Sequence, residues 1–110
     1  MSDKVSFAEF KKLNLRIGKI LTVEDIEGLD KIYKLTVDVG EEKPRTILAG
    51  VKEFLKPQDL EGKNIVVVAN LEPKEVRGVL SEGMLLAAEV DGKPILITLE
   101  SEVEPGTPVH

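Results

Sequence analysis

An all-β fold, a five-stranded barrel with a short helix between its third and fourth strands, is what the sequence predicts, and three observations carry the prediction. Tyr33, Leu35, Val37 and Val39 alternate with Lys34, Thr36 and Asp38, the period-2 pattern of a strand with one buried face. Ile65-Val66-Val67-Val68-Ala69 is a continuous, mostly β-branched run, as expected for a strand covered on both sides. Glycine-centred turns at Gly28, Gly40, Gly62 and Gly92 punctuate the apolar segments.

Ahead of the barrel, Ser6-Phe7-Ala8-Glu9 fits a capping box, in which a Ser hydroxyl and a Glu three residues on satisfy each other's orphan amides. A short helix from Phe7 to about Lys12 is expected. The first strand follows from Leu15 to Val23. Ile17, Leu21 and Val23 share one parity, broken by Lys19, and Gly18 reads as a bulge or barrel bend. Ile26-Glu27-Gly28-Leu29-Asp30 turns the chain into the second strand, and Gly40-Glu41-Glu42 closes a hairpin into a third strand at Arg45 to Ala49. Val51 to Leu60 reads as a helical segment interrupted by Pro57. Glu61-Gly62-Lys63 leads into the fourth strand, Ile65 to Ala69, and Asn70 to Gly83 reads as a polar loop. Met84 to Val90 is the fifth strand, Asp91-Gly92 a hairpin turn, Pro94 to Leu99 a returning segment, and a Glu- and Pro-rich tail ends at His110. This order of elements is that of the OB-fold, a Greek-key barrel whose strand 1-2 and strand 4-5 loops border an oligonucleotide site. With no internal repeat and no boundary signal, residues 1 to 110 are expected to form one domain.

Composition narrows the function. At 110 residues, 42% hydrophobic and 32% charged, the chain has a globular balance and one core. Such a chain buries about two thirds of its unfolded surface, enough to fold but with little room for a deep catalytic cleft. There is no cysteine, which excludes disulfides, thiolate nucleophiles and cysteine-bound zinc and suits a reducing cytoplasm. The only histidine is His110, and neither a Gly-rich phosphate loop nor a spaced metal-ligand set is present, so no catalytic residue, metal or cofactor is expected. Met1-Ser2-Asp3-Lys4 begins the chain without the apolar stretch of a signal peptide, and no run reaches membrane-spanning length; a soluble, cytoplasmic protein is expected, with no membrane partner.

The net charge of −5 argues against a polyanionic partner until its placement is considered. Residues 80 to 110 carry one base, Lys93, and six acids, Glu82, Glu89, Asp91, Glu100, Glu102 and Glu104, which accounts for the whole excess; residues 1 to 79 balance at 14 and 14. Screening limits surface electrostatics to about 8 Å at physiological salt, so a local basic cluster can still hold RNA.

Five segments occur in an order that belongs to one family: Leu15-Arg16-Ile17-Gly18-Lys19-Ile20, Asp30-Lys31-Ile32-Tyr33, Arg45-Thr46-Ile47-Leu48-Ala49-Gly50, Val67-Val68-Ala69-Asn70-Leu71-Glu72-Pro73, and Arg77-Gly78-Val79-Leu80-Ser81-Glu82-Gly83-Met84-Leu85-Leu86-Ala87-Ala88. From about residue 7 to 109 the chain resembles the tRNA-binding domain appended to methionyl-tRNA synthetases. The resemblance implies an OB barrel, a homodimer formed through terminal strands outside the barrel, structure-directed tRNA binding, and a synthetase catalytic chain as a further partner. Free-standing members of the family include synthetase β chains, small tRNA-binding proteins and a secretion-chaperone group, which leaves a peptide-binding chaperone as the alternative. Where family members often carry His-Pro-Asn-Ala before Asp-Lys-Leu-Tyr, this chain has Ile26-Glu27-Gly28-Leu29, and Glu27 would repel phosphate.

The resemblance places tRNA contact at Ser81 and Met84, where a hydroxyl can bond phosphate or a 2′-OH and a thioether can pack on an exposed base. The structural reading of the same residues is a turn cap and the start of a core strand. Asn70, Lys74 and Arg77 supply an amide and two cations in the strand 4-5 loop, interleaved with Glu72, Glu75 and Glu82, and Arg16, Lys19, Lys31 and Lys34 extend the basic set along the first hairpin. The aromatic residues are few: Phe7 and Phe10 read as core or dimer contacts and Tyr33 as buried, so recognition of shape and backbone is expected rather than base stacking.

Overall fold

The computed structural model describes residues 3–110, so Met1-Ser2 of the polar start falls outside them. In chain order the elements are α1 (Phe7–Phe10), β1 (Leu15–Ile26), β2 (Leu29–Asp38), β3 (Arg45–Ala49), α2 (Pro57–Leu60), β4 (Asn64–Val68), β5 (Lys74–Val76), β6 (Val79–Ser81), β7 (Met84–Leu85), β8 (Ala87–Val90), β9 (Lys93–Leu96) and β10 (Pro108–Val109). Four of them realise predicted elements closely: the Ser6-Glu9 capping box is formed at α1, and β2, β3 and β4 lie where alternation and β-branching place them. Tyr33, Leu35 and Val37 point inward from β2 and meet Ile47 of β3 and Ile65 and Val67 of β4, with Leu60 of α2 closing on the same core. The buried Tyr33 hydroxyl donates to Leu55 O at 2.8 Å, which satisfies its polar end.

The main sheet runs β3-β2-β1-β4-β7, all antiparallel. It closes into a barrel where β3 meets the β6-β7 connection. Glu82 N–H donates to Thr46 O at 2.8 Å, Leu48 N–H donates to the Ser81 hydroxyl at 3.0 Å, and Thr46 N–H donates to the Glu82 carboxylate at 3.2 Å. This wiring of first, second, third, fifth and fourth strands is that of the OB-fold.

Several expectations are corrected. β1 has its register shift between Ile20 and Thr22, so Leu21 leaves the ladder and is exposed while Ile20 is fully buried; the shared parity of Ile17, Leu21 and Val23 does not hold, because a bulge reverses which face each later residue presents. Gly18 is not that bulge. A Cβ there would stand 2.7 Å from Val37 Cγ1 and 2.9 Å from Val67 Cγ2, so the glycine makes room for core side chains of the two strands that flank β1. Pro57 begins α2 instead of interrupting a longer helix, since its missing N–H costs nothing at a first helical position.

The polar loop from Asn70 to Gly83 contains a hairpin, β5 paired with β6, joined by Arg77-Gly78 with φ of 54° and 78°, the geometry of a two-residue turn. The fifth strand splits: Met84–Leu85 stays on β4, and β8 leaves the barrel to pair with β9 across Asp91-Gly92. The tail does not hang free, because β10 pairs with β1, Leu15 opposite Val109, and Gly106 N–H donates to Ile17 O at 2.7 Å. Phe7, 73% exposed, and Phe10 lie on the surface of α1, so neither is a core residue of this chain.

One barrel end is closed by charge. Arg45 grips the Glu41 carboxylate with two nitrogens, at 2.8 and 2.7 Å, and donates through Nη1 to the carbonyls of Ala69 and Glu82; Arg16 approaches the same carboxylate at 3.5 Å. The Arg45 hydrogen bond holds the Glu41 carboxyl below its usual 4.5. A carboxylate with a depressed value in the fold stabilises the native state above its ordinary value, and that contribution disappears as the pH falls through the folded value. Glu41→Gln is therefore expected to lower the urea midpoint at neutral pH and to lose that deficit against the parent chain as the pH falls below the ordinary carboxylate range; a constant difference between the two midpoints across the acid range would show that Glu41 carries no such linkage.

Candidate nucleic-acid interface

Because Tyr33, Leu35 and Ile47 face the core, the alternate residues Ile32, Lys34 and Leu48 face outward, with Lys34 directly opposite Leu48 in the β2-β3 register. The β5-β6 hairpin packs across this outer face through β6. Between them lies an open groove of about 420 Å³ with walls from Ile32, Leu48, Val51, Leu71, Val76 and Met84, and with Lys74 and Glu72 along it.

The sequence-predicted residues separate in the structure. Met84 lines the groove and is 44% exposed, with its thioether accessible. Lys74 lines the same groove from β5 and forms no ion pair with any described residue. Arg77, at the hairpin tip, lays its guanidinium against Gly28 of the β1-β2 turn, so the strand 1-2 and strand 4-5 loops meet, as the OB-fold requires of its oligonucleotide border. Lys52 fixes the same turn from beneath, bonding Leu29 O at 3.2 Å and Asp25 Oδ1 at 3.0 Å. Glu27, in that turn, is exposed.

The other predicted residues are occupied or placed elsewhere. Ser81 borders the groove but is 8% exposed; its hydroxyl accepts from Leu48 N–H and donates to Gly83 O, both at 3.0 Å, so the hydroxyl is a seam of the barrel. Asn70 is a clamp: Oδ1 accepts from Asn14 N–H at 2.7 Å and Nδ2 donates to Lys12 O at 2.6 Å, tying the end of β4 to the segment between α1 and β1. Arg16 belongs to the Glu41 cluster, at the end of the barrel away from the β1-β2 turn. Lys31 is exposed but shares parity with Tyr33, on the side of β2 opposite Ile32 and Lys34. Sequence reasoning missed the apolar walls. Their signal was present: Ile32 and Leu48 are apolar at positions whose strand parity faces out of the barrel.

No group of His, Cys, Asp or Glu among the described residues is arranged to hold a metal ion, and no helix among them is long and apolar enough to cross a membrane.

Comparison with known proteins places this geometry. The family model described as "Putative tRNA binding domain" matches residues 15–108. A methionine–tRNA ligase of Archaeoglobus fulgidus is 49% identical over 107 residues, which cover 97% of this chain and 16% of the ligase. The solved structure of a MetRS-related protein from Pyrococcus horikoshii superposes with a TM-score of 0.92 at 38% identity, over 99% of this chain and all of that one. The chaperone CsaA of Bacillus anthracis has a TM-score of 0.87 at 30% identity, over 97% of this chain and 99% of its own. The ligases so matched are several times longer, and the chain spans only about a sixth of their length.

Removing the Ser81 hydroxyl leaves the Leu48 N–H without its partner in a partly buried seam. Ser81→Ala is expected to destabilise the chain by about 1–3 kcal/mol in urea denaturation. An unchanged midpoint would show that the seam does not depend on this hydroxyl.

Proposed function

Because the chain belongs to the tRNA-binding-domain family, we propose that it is a non-catalytic, cytoplasmic module, residues 1 to 110 acting as one unit, that binds folded tRNA along the β5-β6 hairpin and the groove beneath it. The observation that carries the reading is an apolar groove with Lys74 on its wall, bordered by the β5-β6 hairpin that bears Arg77 at its tip, while the outward Lys34 lies opposite Leu48 of the same wall. Cations at the rim suit phosphates, and Met84 with the groove walls suits the apolar face of a nucleotide. Ser81 and Asn70 act by holding the hairpin and the β4 end in place, Arg16 by closing the barrel, and Lys31 adds at most a peripheral charge. The acids of the C-terminal third sit mainly on β8-β9 and the tail, off the hairpin. A gel-shift titration of bulk tRNA at several salt concentrations tests this. The native chain is expected to give a negative log-log slope of about 0.7 to 0.9 per phosphate neutralised, and Lys74→Ala with Arg77→Ala to flatten it by about two phosphates. Absence of binding at low salt would remove the reading; binding untouched by the substitutions would remove the site.

We extend the proposal to a methionyl-tRNA synthetase catalytic chain as partner, on the strength of the similarity to methionine–tRNA ligases. A second tRNA contact held beside a catalytic site raises the effective concentration of tRNA there and lowers its apparent KM. A homodimer belongs to the same proposal. Its support is the β8-β9 hairpin, which forms a sheet of its own and, with the residue that follows it, exposes Val90, Ile95 and Ile97, Ile95 at 54%. Such an apolar surface rimmed by charge is what a second copy would cover. Light scattering at micromolar concentration is expected to report twice the chain mass, and Ile95→Lys to return it to one; a monomeric native chain would contradict the dimer.

The second reading is a peptide-binding chaperone, favoured by the apolar walls of the groove and the similarity to CsaA. Holdase activity unaffected by competing tRNA would favour it over the first.

A further inference from the structure

We propose that Gly28 is a positioning residue for tRNA recognition: by having no side chain, it lets the Arg77 guanidinium rest on the β1-β2 turn with its N–H fork held ready for a phosphate of the RNA. The inference rests on the tRNA-binding reading above and adds to it a specific device that couples two loops. A Cβ on Gly28 would stand 3.2 Å from Nη2 and 3.3 Å from both Cζ and Nη1 of Arg77. Three guanidinium atoms at nearly equal distance mean that the plane of the group covers the glycine. Contacts this short are tighter than ordinary packing, so a methyl group would push the guanidinium off its rest by a few tenths of an ångström, the arginine's mobile end yielding before the backbone of the turn.

The three arginines of the chain differ in what they bond. Arg16 and Arg45 spend their donors on Glu41 and on carbonyls. Arg77 donates to no described residue, although exposed Glu27 directly precedes Gly28 in the chain. Its fork rests on Gly28 and is left open for an outside acceptor, and a planar fork matches the two free oxygens of a phosphate. Ordering a long side chain before the ligand arrives removes part of the entropy cost of binding. The hairpin tip contributes as well: Arg77 has φ of 54°, and this left-handed turn directs the tip toward the β1-β2 turn.

The test has two readouts and one control. Gly28→Ala adds the methyl group at a φ of 85°, and Gly62→Ala adds one at a φ of 79° with nothing within 4 Å, so the second variant reproduces the backbone strain without touching the arginine. In the free protein, nitrogen relaxation of the Arg77 Nε group is expected to show an ordered side chain in the native chain and in Gly62→Ala, and a mobile one in Gly28→Ala. In tRNA gel shifts, Gly28→Ala is expected to weaken binding by nearly the factor that Arg77→Ala does and to flatten the salt slope by about one phosphate. Added to Arg77→Ala, it is expected to do nothing further. A mobile Arg77 in the native chain, or losses that multiply in the double variant, would overturn the proposal. A native chain with an ordered Arg77 that binds no tRNA would overturn the functional reading and leave the Gly28-Arg77 contact standing.

Discussion

Closure of the barrel between β3 and the β6-β7 connection is the constraint on which the rest of the molecule depends. The strands there share no continuous ladder. Backbone bonds to Thr46, the Ser81 hydroxyl between Leu48 and Gly83, and the reach of Arg45 to the carbonyls of Ala69 and Glu82 join the edges instead. This seam of backbone and side-chain bonds fastens the end of β6, and with it the β5-β6 hairpin, to the edge of β3. The groove exists because the hairpin is pinned at its base by Ser81 and rests at its tip on Gly28. A substitution at Ser81 that weakens RNA binding would thus act through the hairpin's anchorage, whereas one at Met84 or Lys74 alters the groove itself.

Charge is partitioned by element. The barrel end uses Arg16, Arg45 and Glu41 on one another, which leaves those cations unavailable to a ligand, while Lys74 and Arg77 are free. The acids that give the chain its net charge lie largely beyond the hairpin, so the groove and hairpin are not part of that acidic excess: Lys74 and Arg77 stand against Glu72 and Glu75 there. With Glu72 on the groove and Glu27 in the β1-β2 turn, attraction to phosphate is moderate, and shape has to carry more of the discrimination than charge does.

Legibility in the sequence followed the physics of each segment. β2 and β4 were plain because one-sided and two-sided burial leave distinct patterns, and Ser6-Glu9 because a capping box is a local bond between two named side chains. The β5-β6 hairpin was invisible for the converse reason. Its strands are three residues each, β5 carries two charged residues among its three, and its turn is Arg-Gly instead of the usual Asn-Gly, so it owes its form to packing on β3 and not to local preference. The same gap hid which polar side chains the fold uses for its own bonds. Asn70, Arg16 and Ser81 carry the right chemistry for RNA, yet whether a polar group is spent inside the fold depends on partners 56, 25 and 33 residues away in sequence. Arg77 and Lys74 were legible as cations; that they stand unpaired was not.

The short β10 has a meaning apart from recognition. Exposed strand edges, with their rows of unpaired amides and carbonyls, are templates on which other chains can add. By folding back on Leu15 and Arg16, Pro108 and Val109 cover such a row on β1, and β10 itself offers little to build on, being two residues long with a proline that lacks an N–H. The closing residues thus act as a guard against edge-to-edge aggregation, built from the least adhesive strand the chain can make.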